Sequence, residues 1–454
     1  MVSDFLKNKH LLHRAGFGVE LKNISFLKNK NQKELYEQLL KNSEKYEPIT
    51  IESEDFSSYR PKNANAEMKN FFQKKNKEEN AEIISKWYQK MIDSDAQLRE
   101  KMAFFWHGHF ATRTVLSKFN LQLLNTIREH ALGNFGDLLK MVSKSPSMLQ
   151  FLNNQQNKKD HPNENFAREV MELFTMGRGN YTEKDIKEAA RAFTGWSFLP
   201  DGSFFERPRL HDFGEKTFLG NTGNYDGDEI LEIILQQKAT AKYISKKLYR
   251  FFVNENIDQN RVNELAEKFY QSHYDIKTLL KEIFTQEWFY EEKNIGTKIK
   301  SPIELMVGIQ RILPIKIENP KTLIVFQRLL GQQLLSPPNV AGWPSGKAWI
   351  DSSTLMLRLK TPQIWSGIIS LDYAPKDDDD MNMGMQKFLP KPLQGNFSVQ
   401  WDLVSKYLKN ENVEDILLQS KKSIPENVIN EFDLDDEFKA RIVALMSTPE
   451  YQLC

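Results

Sequence analysis

Residues 97–106 read QLREKMAFFW, and their spacing decides the fold class. Leu98, Met102, Phe105 and Trp106 stand at i, i+4, i+7 and i+8, which is one face of an α-helix. The spacing returns in NFAREVMELFTMG (165–177), where Phe166, Val170, Leu173 and Phe174 form the apolar side. In TEKDIKEAARAF (182–193), Thr182 and Asp185 make a capping-box-like start ahead of Ile186, Ala189, Ala190 and Phe193. Helical periodicity is also found near 32–42, 66–92, 116–131, 238–252, 261–273, 299–312, 320–331, 352–361, 399–408 and 436–447. Strand signal is scarce. WSFLPDGSFFE (196–206) predicts a hairpin, because Asp201-Gly202 separates two aromatic arms. The Gly-, Asn- and Asp-rich stretch that follows, to about Gly227, reads as an irregular excursion.

The predicted fold is mainly α: a multi-helical globular body over 1–373 with a short β-hairpin and irregular excursion at about 196–227. A linker over 374–397, containing Asp377 through Asp380, leads to a small C-terminal helical segment over 398–454. Residues 44–65, polar and without period, read as a second linker.

Composition narrows the function classes. Of 454 residues, 40% are apolar and 11% aromatic, which excludes a globally disordered chain. A formal charge of +1 argues against a protein-wide grip on nucleic acid, and no nucleic-acid partner is expected. Cys454 is the only cysteine, so an internal disulfide framework and Cys-cluster metal sites are excluded. Nowhere is there a run of about 18 apolar residues, and no membrane span is expected. The N-terminal stretch lacks the apolar h-region of a secretory leader, and the expected location is cytoplasmic. Dinucleotide, phosphate-loop, nucleophile-elbow and HExxH signatures are missing, which leaves NTP-driven and standard serine-hydrolase chemistry without support.

Four stretches are rich in chemistry-bearing side chains. In FWHGHF (105–110), His107 and His109 flank Gly108. In an extended conformation both imidazoles project to one side, whereas on a helix they lie about 200° apart. Gly108 favours a break, and with it two metal-ligand imidazoles side by side. The blander alternative is a histidine pair capping carbonyls at a helix C-terminus. In DHPNENFAREVMELFTMG (160–177), Asn165, Glu169 and Glu172 form one polar stripe with Arg168. Two carboxylates a turn apart suit metal binding or acid–base work, or else an ordinary solvated face with an Arg168–Glu172 pair. In RLHDFGEKTFLG (209–220), His211-Asp212 reads either as a base with its orienting carboxylate or as turn chemistry, with Lys216 nearby. Trp196, Trp343 and Trp349 lie in Gly/Pro-rich segments, suited to a flat ligand or to packing loops on the helical body.

Taken in order, HLLHRAGFG (10–18), LREKMAFFWHGHFAT (98–112), the block NENFAREVMELFTMGRGNYTEKDIKEAARAFTGW (163–196), HDFGEKTFLG (211–220) and LLSPPNVAGWPSGKAW (334–349) resemble the bacterial domain-of-unknown-function family 1800 over nearly the whole chain. The resemblance implies a largely helical protein without a settled activity. It also implies a protein partner similar to domain-of-unknown-function family 1501, itself similar to the alkaline-phosphatase and sulfatase superfamily. Many relatives carry export signals, so a periplasmic or exported location is the alternative to the cytoplasm.

The leading expectation is a metal-assisted enzyme, a hydrolase acting on an unknown substrate. His107 and His109 would bind a divalent ion. Glu169, Glu172 and His211 would supply further ligands or acid–base groups, Asp212 would orient His211, and Arg168 and Lys216 would stabilise negative charge. Trp196, Trp343, Asn165 and Arg191 are the expected ligand-binding positions. The alternatives are a helical scaffold that docks a partner, and a metal-free glycan-binding or glycan-hydrolysing protein using the Glu pair and Trp platforms.

Overall fold

The structure is a computed structural model, and it describes residues 2–28, 30–53, 65–370, 397–420 and 436–454. The helix carrying QLREKMAFFWHGH, Gln97–His109, is its axis. Every residue of that helix except Gly108 is buried, as expected for a helix enclosed on all sides. Its charged residues are compensated internally. Arg99 donates to the carbonyls of Ser43, Arg128 and Glu129. Glu100 accepts from Arg128 at 2.7 and 2.9 Å and from the Trp87 indole at 3.1 Å. Lys101 pairs with Glu304.

Around this axis pack the long Ala66–Asp93 helix, Ser117–His130 and Gln32–Asn42, and Pro302–Ile312 packs on Ala66–Asp93. Trp87, Trp106, Phe110 and Phe135 fill the space between them. Each such burial contributes about 1.5–3 kcal/mol. Most helix bounds read from periodicity agree with the structure within about three residues, as at Gln32–Asn42 and Lys238–Phe252, whereas the helix expected at 352–361 runs on to Trp365. Thr182 and Asp185 close the capping box in both directions.

Strands are few. β1 (Trp196–Phe198) pairs antiparallel with β2 (Phe204–Glu206) in the predicted hairpin, with Trp196 opposite Glu206. The excursion after it is less irregular than expected. β3 (Lys216–Phe218) and β4 (Asn221–Gly223) form a second hairpin whose corner, Leu219-Gly220, has φ of +46° and +81°. Leu is a rare residue at such a corner, so the usual Asn-Gly signal was missing.

β5 (Ile315–Ile317) pairs with β6 (Phe397–Val399), which brings the C-terminal helices Trp401–Leu408, Val413–Leu417 and Glu437–Met446 against the body. Val404, Leu408, Ile416 and Leu445 belong to the same core as Trp87. The last residues pair with the strand-like segment 298–300. Cys454 and Lys298 exchange backbone hydrogen bonds, and Arg14 donates to the carbonyls of Cys454 at 2.8 Å and Asn294 at 2.9 Å. Most of the expected 374–397 linker, with its Asp377–Asp380 run, lies outside the described residues, as does part of 44–65. Among the described residues no helix is long and apolar enough to cross a membrane.

Candidate functional site

The helix continues unbroken through Gly108 to His109, so the expected break does not occur. The two imidazoles therefore point apart, by about 200° on an α-helix. His107 sits between the rings of Trp87 (5.1 Å) and Trp343 (5.3 Å), and its Nε2 accepts from the Leu335 amide at 3.2 Å. Burial pushes its pKa down to about 4. His109 faces the other way, its Nε2 lying 3.0 Å from the Phe174 carbonyl. A carbonyl only accepts, so Nε2 carries the proton and Nδ1 the lone pair. Nδ1 is buried without a partner. Burial first, then Lys247, hold this ring well below the usual histidine range.

The Phe174 carbonyl is available because the chain widens there. The Glu164–Glu169 helix passes into a π-helix over Val170–Thr175. The Leu173 and Phe174 carbonyls are taken up by the Tyr243 hydroxyl and by His109. The wider turn also overturns the expected Arg168–Glu172 pair. Arg168 instead forks onto Glu183 at 2.8 and 2.9 Å and reaches Glu164 at 3.2 Å, while Glu172 is held by Arg178 and the Tyr181 hydroxyl. Glu169, whose pKa is raised by partial burial and then by Glu172, stays beside this surface network. Asn165 donates to the Leu152 carbonyl at 3.1 Å.

His211 and Asp212 part company. His211 Nδ1 donates to the Thr194 carbonyl at 2.8 Å, with Glu206 at 3.4 Å. Asp212 binds Arg191 at 2.7 and 3.3 Å and accepts from the Gly214 amide at 2.8 Å, the turn-chemistry alternative. Thr194, not Asp212, thus orients the imidazole. The Arg191 guanidinium holds Asp212 below the usual carboxylate range. Lys216 closes the same loop onto the Asp212 and Gly214 carbonyls. Trp196 is no platform: it is buried against Phe193, Phe166 and Phe204. Among the described residues no three His, Cys, Asp or Glu side chains converge as a metal-holding group.

Two of the sequence motifs do meet. Gly342, at φ +84°, sits so close to the helix that an added Cβ would lie 2.2 Å from the Gly108 carbonyl oxygen. That contact, which only glycine permits, lays the 341–349 loop across the end of the Gln97–His109 helix. A half-open cavity of about 250 Å³ results. One wall carries Phe105, Gly108 and His109, and the facing wall Lys247, Arg250 and Phe251 of the Lys238–Phe252 helix. Glu255, Trp343 and Ser345 form the more exposed rim, Trp349 is buried in the lining, and the buried Lys298, Ser301 and Glu304 form the floor.

A family model described as "Protein of unknown function (DUF1800)" matches residues 10–453. The chain belongs to that family. No curated protein and no solved structure matches it. The matched span of this DUF1800 chain contains every wall of the cavity.

Charge on the floor is balanced. Glu304 Oε1 is shared by Lys101 and Lys298, the latter at 3.4 Å, and Oε2 accepts from the Ser301 amide at 2.8 Å. Its carboxyl is thereby held far below the usual range despite the opposing effect of burial. Lys298 also donates to the Phe251 carbonyl at 2.7 Å. Charge on the wall is not balanced: no hydrogen bond or ion pair engages Lys247 among the described residues. Its ammonium lies 5.5 Å from the centre of the Tyr243 ring. Burial, and then Arg250, push the Lys247 pKa down to about 8.

Sequence reasoning missed Lys247, Arg250, Glu255, Lys298 and Glu304. A signal existed for two of them, since Tyr243, Lys247 and Arg250 stand at i, i+4 and i+7 on one stripe of a predicted helix. Glu304 was visible only as N3 of a Ser301 capping box.

Proposed function

We propose that this chain binds a small organic molecule in the cavity between the Gln97–His109 helix, the Lys238–Phe252 helix and the 341–349 loop. The observation that carries this reading is the cavity itself, which brings His109 and the apolar rings together with Lys247, a cation that no hydrogen bond or ion pair engages among the described residues. Buried polar atoms are nearly always satisfied, and a bound molecule supplies what the protein does not. Glu255, also in the lining, has one oxygen buried without a hydrogen bond, while the other accepts from Ser345 and lies 3.9 Å from Arg250. Phe105, Phe251, Trp343 and Trp349 supply apolar surface for the body of such a molecule.

Metal-assisted hydrolysis by the predicted residue set does not fit these positions. His107 is engaged by Leu335, Glu172 by Arg178, and His211 by Thr194. A divalent ion retains His109 as its candidate ligand at the cavity, and elemental analysis of the purified chain tests that point independently.

The reading is tested by a thermal-shift screen of a small-molecule library on wild type and on Ser345→Trp, which plugs the exposed rim without disturbing the core. Compounds that raise the wild-type melting temperature are expected to lose their effect in the variant. A screen in which every shift survives the substitution sinks the reading.

A further inference from the structure

We infer that the molecule taken by this cavity carries a carboxylate or phosphate group, held between Lys247 and Arg250, with a flat or apolar body against Trp343. The inference rests on the small-molecule reading and adds the chemical class.

Lys247 and Arg250 are one helical turn apart on the same wall. Two cations at that spacing repel each other, and more strongly as water is withdrawn from Lys247. No carboxylate of the cavity pairs with Lys247 among the described residues. Glu304 is saturated by Lys101, Lys298 and the Ser301 amide. Glu255 accepts from the Ser345 hydroxyl at 3.3 Å and lies 3.9 Å from Arg250, at the limit of an ion pair. His109, opposite, is neutral and adds no negative charge.

The contrast with the other large concavity is informative. That open groove, of about 560 Å³, is lined by Lys45, Lys90 and Arg128, and each has its carboxylate: Glu47 for both lysines, Glu100 for the arginine. Uncompensated positive charge is therefore not a general habit of this protein's concave surfaces. A half-buried lysine without a counterion is costly, and an anionic ligand removes the cost at the moment it binds. The modest volume fits a ligand of single-ring size, near the lower end for small-molecule pockets.

The test titrates the purified full chain with benzoate, phenyl phosphate and the neutral benzyl alcohol, read by isothermal calorimetry and by tryptophan fluorescence. Wild type is compared with Lys247→Gln, Lys247→Arg and Trp343→Leu, and thermal melts confirm that each variant is folded. At least one of the two anions is expected to bind saturably, and benzyl alcohol at least tenfold more weakly. Lys247→Gln should weaken the anion at least tenfold, Lys247→Arg should retain most of the affinity, and Trp343→Leu should weaken both kinds of ligand. The stronger of the two anions identifies a carboxylate or a phosphate preference. Benzyl alcohol binding as well as the anions, with Trp343 dependence, overturns the anion inference and leaves the small-molecule reading standing. Absence of Lys247-dependent binding of either anion at millimolar concentration also overturns it. The small-molecule reading itself falls only if the library screen shows no shift lost in Ser345→Trp.

Discussion

Two groups of cations at the same cavity obey opposite rules. On the floor, Lys101 and Lys298 converge on Glu304, whose remaining oxygen is held by a backbone amide, so a deeply buried charge cluster is closed. On the wall, Lys247 has no carboxylate partner among the described residues, and Arg250 has Glu255 at 3.9 Å. The floor shows how this fold stabilises buried charge when stability is the aim. The wall departs from that solution within the same cavity, and such local departures from a protein's own rules concentrate where ligands bind.

The contrast breaks most visibly at Glu304. Glu304→Ala strands Lys101 and Lys298, and should cost roughly 3–5 kcal/mol in chemical denaturation. A loss below about 1 kcal/mol would show that the floor is not closed by that carboxylate. Next comes acid. His107, held at about 4, is uncharged when folded but takes up a proton near 6.5 when unfolded. Its contribution is intact above pH 6.5 and is lost as pH falls towards 4, by on the order of 3 kcal/mol. His10, His13 and His109, all lowered by burial, act in the same direction. Unfolding free energy measured between pH 7 and 4 should fall steeply, and His107→Gln should flatten the curve.

The wall predicts the opposite sign. Lys247→Met removes a charge without a counterion and should stabilise the chain by roughly 1–2 kcal/mol at pH 7. Because the folded pKa of Lys247 is lowered to about 8, the folded state sheds its proton before the unfolded state does. The advantage of the variant should therefore shrink as pH rises from about 8 towards the ordinary lysine value, which melts at pH 7 and pH 10 will show. The smallest effect is expected far from the cavity. Arg168→Ala removes partly exposed pairs with Glu164 and Glu183 and should change stability by less than about 1 kcal/mol.

Helix positions were legible because apolar spacing is a local property, and Phe166, Phe193 and Trp106 face inward as their periodicity requires. The β1–β2 hairpin was legible because Asp201-Gly202 is a local turn signal. The site was only partly so. His109 and Trp343 were singled out, and both line the cavity. His107 was paired with His109 on the assumption that Gly108 breaks the helix, but a helix tolerates an interior glycine at a cost of about 1 kcal/mol. Here the space left by the missing side chain faces Trp343. Lys247 and Glu304 were passed over because nothing in a linear chain shows whether a cation will meet a carboxylate. Compensation is decided by which helices become neighbours, and that information enters only with the tertiary structure.

The π-helix at Val170–Thr175 has a reach beyond its own turn. Such a widening is equivalent to one residue inserted into an α-helix. Deleting a single residue from that span would restore an ordinary helical ladder and withdraw the Phe174 oxygen from His109. The imidazole would then be free to move its proton to the opposite nitrogen, exchanging acceptor for donor at the buried Nδ1. A one-residue change in chain length, more than 60 positions along the sequence from His109, would thus reverse the hydrogen-bonding character of a residue that lines the cavity.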